Sequence, residues 1–87
     1  MSHQIYKAPV ALICANLVST LAARREALGM TQRVLARNMR TTHQHLSQLE
    51  MGRAQPQLRM LVQWARELGL HVRLLDLRNQ PRRGPWR

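Results

Sequence analysis

The sequence predicts an all-α fold: a bundle of four helices, the second and third short and joined by a tight turn. One short C-terminal strand follows and pairs with its copy across a dimer. Three observations carry this reading. Apolar residues recur at helical spacing in four segments between residues 9 and 69. Cap and stop residues (Gly29, Thr31, Thr41, Thr42, Gly52, Gly69) fall between those segments. Over residues 70–77 the apolar period then changes from helical to alternating.

Residues 1–8 read as a loose N-terminal arm. Pro9 suits a first helical turn, where its missing N–H costs nothing. Val10, Ile13, Cys14, Leu17, Leu21 and Leu28 then fit one stripe of a helix from about 9 to 28. A strand over 10–14, with a helix from about Asn16, is the alternative. Gly29 suits the stop. Thr31 caps a second helix through about Asn38, with Val34, Leu35 and Met39 facing inward and Ala36 allowing close approach. Thr41 and Thr42 offer the next cap. Leu46 and Leu49 form the inner stripe of a third helix that reaches about Met51 and stops at Gly52.

Residues 53–56 are a loop. Leu58, Leu61, Val62, Ala65 and Leu68 then define a fourth helix from about 57 to 68, ended by Gly69. In residues 70–77, Leu70, Val72 and Leu74 alternate with other side chains, as in a strand. A lone strand leaves its backbone groups unpaired, so it most simply pairs with its mate in a second subunit. Residues 78–87 hold two Pro, one Gly and no apolar period, and read as a disordered basic tail. The chain therefore divides into an arm (1–8), a helical domain (9–69), a dimerisation strand (70–77) and the tail.

Charge points to the partner. The 87 residues carry 14 Lys and Arg against four acids, a formal charge of +10. All the basic residues are Arg except Lys7. Such a balance favours a polyanion, with nucleic acid ahead of an anionic membrane surface. Residues 24–59 carry Arg24, Arg25, Arg33, Arg37, Arg40, Arg53 and Arg59, so the footprint is expected there. A lone Cys14 fits a reducing compartment. No secretory signal or bilayer-length apolar run is visible, and a cytoplasmic location is expected. Few carboxylates, no phosphate loop and no metal-ligand spacing argue against an enzyme and against any cofactor or metal. His43 and His45, two apart, point to different faces of a helix and make a poor metal pair.

The stretch TQRVLARNMRTTHQHLSQLEMG (31–52) resembles the helix-turn-helix of the Cro/C1-type (XRE-like) DNA-binding domains. The likeness rests on Thr31-Gln32, Leu35-Ala36, Thr41-Thr42-His43-Gln44, Leu46, Gln48-Leu49-Glu50 and Gly52-Arg53. It extends over roughly 17–69 and implies a lambda-repressor-like helix-turn-helix bundle. The departure is Arg40, where that family usually has Gly. An Arg held in the left-handed region should cost roughly 1 kcal/mol.

The resemblance makes residues 42–51 the recognition helix, entering the major groove of double-stranded DNA by its N-terminal end. His43, Gln44, Ser47 and Gln48 would face bases. Gln can bond adenine at N6 and N7, and His can donate to a purine acceptor. Phosphate contacts would come from Gln32, which opens the second helix, and from Arg33, Arg37, Arg40, Thr42 and Arg53. For each Arg, a solvated surface charge is the plainer reading. Arg25 and Glu50 match positions that pair in this family, which would fix the recognition helix without touching DNA.

The ending LHVRLLDLRN, with Ile5-Tyr6, resembles HipB-type antitoxins. That implies a homodimeric repressor on a palindromic operator, with a HipA-like kinase toxin as a further partner. The longer run between Tyr6 and Gly29 departs from that group. A protein- or RNA-binding adaptor without operator specificity is the alternative. Trp64, beside the fourth helix's stripe, is either a partner anchor or rim packing. The tail is a basic arm on DNA, a peptide that plugs Trp86 into a partner, or a solvated end.

Overall fold

The structure, a computed structural model, describes residues 8–76. The expected arm lies outside the described residues apart from Ala8, as does the expected tail. Among the described residues are four helices: α1 (Val10–Ala27), α2 (Gln32–Asn38), α3 (His43–Glu50) and α4 (Leu58–Glu67). Each bound falls within two residues of its expected place. Residues 10–14 are helical, so the strand alternative there is excluded.

Local chemistry sets where the helices begin and end. The Thr31 hydroxyl accepts from the Val34 N–H at 3.1 Å, and the Thr42 hydroxyl accepts from the His45 N–H at 3.0 Å. Both satisfy a donor that a helix start leaves free. All four helices end in the same motif. The residue after the C-cap takes a left-handed conformation, and the next N–H reaches back to a carbonyl of the last turn. Those bonds run from Met30 to Arg25, Thr41 to Ala36, Arg53 to Gln48 and Leu70 to Ala65, at 2.8 to 3.1 Å. Three left-handed positions hold Gly. The one that ends α2 is Arg40, at φ 59°.

The core is small: Leu21, Leu35, Ala36, Met39, Leu46, Leu49, Trp64, Ala65 and Leu68. Trp64 is not an exposed anchor or a rim residue; it is fully buried, at 0% exposure. The inner stripe of α4 is therefore Leu61, Trp64, Ala65 and Leu68, rotated from the expected one, and Leu58 and Val62 lie exposed. The expected stripe of α1 is corrected as well. Only Leu21 is buried, with Cys14 and Val18 half-buried, while Val10, Ile13, Leu17 and Leu28 are exposed. The first half of α1 extends beyond the core and leaves its apolar side uncovered in this chain. Val34, expected inside, is 37% exposed.

Residues 70–76 form no strand within this chain. Leu70 packs against the core. A strand exists only as part of a ladder, and among the described residues no second extended segment offers an edge. Val72, Leu74 and Leu75 are left exposed, Leu74 at 98%. Among the described residues no helix is long and apolar enough to cross a membrane.

Candidate nucleic-acid interface

α3 is held from behind and open in front. Leu46 and Leu49, three residues apart, are completely buried and pin one side of the helix to the core. Gln44 and Gln48, four apart, stand on the other side and are exposed. Ser47 is half-buried beside them, and His43 is half-buried at the edge of that face. None of these side chains is closed off by the protein's own interior. Arg33, Arg37, Arg40, Thr42 and Arg53 are exposed on or next to α2 and α3. The oxygen of Thr42 is used by its cap, but its own hydroxyl proton remains available to an acceptor.

The orientation of α3 is set by a chain of polar contacts. The Arg25 guanidinium donates from Nε to Glu50 Oε2 at 2.8 Å and from Nη2 to Glu50 Oε1 at 3.1 Å. Its Nη1 donates to the Met30 carbonyl at 2.8 Å. The two side chains are 11% and 7% exposed, so this is a nearly buried, bidentate pair. It raises the Arg25 pKa, chiefly through the Glu50 hydrogen bond, against the opposing effect of burial. The expected pairing of Arg25 with Glu50 is therefore present.

Two contacts extend the chain in a way the sequence did not indicate. Gln32 Nε2 donates to Glu50 Oε1 at 2.7 Å, and Gln32 Oε1 lies 3.0 Å from His43 Nε2. Gln32 was expected to grip phosphate. Its carbonyl and one amide hydrogen are engaged internally, and the second amide hydrogen has no partner among the described residues. Gln32 thus ties the start of α2 to both ends of α3. A second unexpected link is Arg24, whose Nε donates to the Leu68 carbonyl at 3.0 Å and secures the end of α4 against α1. No local pattern marks either contact, because the partners lie 11 to 44 residues apart.

Arg40 carries a measurable consequence. Its backbone sits where a Cβ is unfavourable, so Arg40→Gly should raise stability by up to about 1 kcal/mol. Chemical denaturation reads that gain. A stability loss would show that the Arg side chain contributes more than its backbone costs.

Among the described residues no group of three or more His, Cys, Asp and Glu could hold a metal. The helix-turn-helix family profile HTH_3 matches residues 21–75. The chain is also similar to the uncharacterized HTH-type transcriptional regulator y4dL of Sinorhizobium fredii (strain NBRC 101917 / NGR234). The two are 38% identical over 66 residues, covering 76% of this chain and 34% of the relative. This chain thus spans about a third of that relative's length. No solved structure matches it significantly.

Proposed function

From the premise that this chain belongs to the helix-turn-helix family of Cro/C1-type DNA-binding proteins, we propose that it is a sequence-specific transcriptional repressor. The observation that carries this is the two-sidedness of α3. Its leucines are fully buried, Glu50 is clamped to Arg25, and a polar edge of Gln44, Ser47 and Gln48 is left facing outward. A rigid helix with a free hydrogen-bonding edge is what readout of the major groove requires. His43, Gln44, Ser47 and Gln48 read bases. Arg33, Arg37, Arg40, Thr42, Arg53 and the remaining amide hydrogen of Gln32 contact phosphates and fix register.

Selection of bound duplexes from a random pool tests the reading. A single enriched, palindromic sequence is expected; an unenriched pool would reject it. On the selected duplex, Gln44→Ala should relax discrimination by about 1–3 kcal/mol at one base pair. Arg53→Ala should weaken all sequences alike and flatten the salt dependence. Competition binding on single-base variants separates the two behaviours. An adaptor for protein or RNA would show neither.

The protein acts as a homodimer, with residues 70–77 as the contact. Exposed Val72 and Leu74 support this, since packing the face of a shared two-stranded sheet against the second subunit would cover them. Deleting residues 70–77 should leave a monomer with poor operator affinity. A truncated chain that still sediments as a dimer would overturn the assignment. The likeness of the same segment to HipB-type antitoxins favours a HipA-like kinase toxin as a further partner. A regulator of this kind works in the cytoplasm, where its operator is.

A further inference from the structure

The structure assigns the proton of the neutral His43 ring to Nε2, and we infer that His43 reads its base pair as an acceptor, through Nδ1. The base edge it fits is one bearing an exocyclic amino group: N6 of adenine or N4 of cytosine. This rests on the DNA-binding reading above.

The assignment follows from which atoms can donate. A guanidinium only donates, and Arg25 takes both oxygens of Glu50. The Glu50 carboxylate therefore only accepts, and the Gln32 amide must turn its nitrogen toward Oε1, 2.7 Å away. That choice leaves Gln32 Oε1 facing His43 Nε2 at 3.0 Å. A carbonyl oxygen only accepts, so Nε2 must carry the hydrogen. A neutral imidazole has one such hydrogen, and Nδ1 is left as a bare lone pair. Among the described residues no hydrogen bond occupies Nδ1.

Donation to a purine acceptor, the role expected from the sequence, is thereby closed to the neutral ring. Its only N–H is committed to Gln32. In the major groove, amino groups occur only on adenine and cytosine, whereas guanine O6 and N7 and thymine O4 present lone pairs. Those would oppose the lone pair of Nδ1. Arg25, Glu50 and Gln32 act on base choice without reaching DNA. They are positioning residues for His43.

Nitrogen-15 spectroscopy on the full chain, without DNA and at a pH where His43 is neutral, tests the proton assignment. We expect a protonated Nε2 and a bare Nδ1. Gln32→Met keeps the bulk and removes the acceptor, so it should shift the ring to a mixture of both forms while circular dichroism stays unchanged. Should that variant fail to fold, the spectrum of the unaltered chain still decides. A hydrogen on Nδ1, or an even mixture in the unaltered chain, would overturn the proposal.

Competition on the selected duplex, at the same pH, tests the readout. At the pair whose discrimination is lost in His43→Ala, replacing adenine by purine or cytosine by 2-pyrimidinone, each lacking the exocyclic amino group, should weaken binding by a ratio of roughly five or more. In Gln32→Met that ratio should fall toward one. A His43-dependent preference that survives loss of the exocyclic amino group would sink the acceptor role and leave DNA recognition intact. A His43→Ala protein with unchanged discrimination at every pair would remove His43 from base reading. Failure to bind any duplex selectively would remove the DNA-binding reading itself, and the readout with it, whatever the ring spectrum shows.

Discussion

Arg25→Ala should lower the unfolding free energy by about 3 kcal/mol. The substitution leaves Glu50, with its side chain 7% exposed, facing a partner that has gone. It also frees the Met30 carbonyl and loosens Gln32, so the cost is greater than one lost contact. Small domains hold a total of roughly 5–15 kcal/mol, so such a loss is a large share. Glu50→Ala should cost less, since the part-buried Arg25 guanidinium keeps the Met30 carbonyl and has Glu26 at 3.6 Å. Replacing both at once, Arg25→Met with Glu50→Leu, should cost less than the two single changes summed, because no buried charge is stranded. Denaturant titration followed by circular dichroism measures all four proteins. A single-variant loss below about 1 kcal/mol would place the pair with ordinary surface contacts. On the proposed reading, affinity for the selected duplex should fall further than stability predicts in either single variant, since α3 loses the clamp that sets its angle.

Trp64→Ala should cost about 3–5 kcal/mol, a large share of the stability of so small a domain. Trp64 is the largest fully buried side chain, and no neighbour in so small a core can collapse into its space. Its Nε1–H has no acceptor among the described residues, which separates two contributions. Trp64→Phe gives up part of the volume and also removes that unsatisfied donor, whose burial alone costs about 1–3 kcal/mol. The phenylalanine variant should therefore lose less than half of what the alanine variant loses. Thermal melts compare them directly. Equal losses would mean that even the smaller change disrupts the core and that removing the indole N–H brings no relief.

What the sequence revealed, and what it hid, divides by distance along the chain. The caps at Thr31 and Thr42, the stops at the glycines and the left-handed Arg40 were legible because each depends on residues within about five positions. The pairing of Arg25 with Glu50 was legible only through a family likeness, since nothing local links residues 25 apart. The Gln32–His43 contact had no such guide. Helix faces were misjudged where more than one stripe satisfies the period. In α4, Leu61, Trp64, Ala65 and Leu68 fit helical spacing as well as the stripe beginning at Leu58, and only packing decides between them. In α1 the apolar pattern was read correctly as helix, but periodicity cannot say how far along its length the bundle reaches. Residues 71–76 alternate like a strand, yet alternation specifies a face, and a ladder also needs a second strand.

The shared ending of the four helices has a kinetic consequence. Each stop turns the chain back within a few residues, so successive elements meet without long loops to close. Helical chains of this kind find their native arrangement in microseconds to milliseconds. Reclosing then outruns most proteolytic attack, and turnover follows the equilibrium population of open molecules rather than the rate of opening. Susceptibility of this domain to proteases would then track its stability, so each weakening of the core or of the Arg25–Glu50 pair would also hasten cleavage.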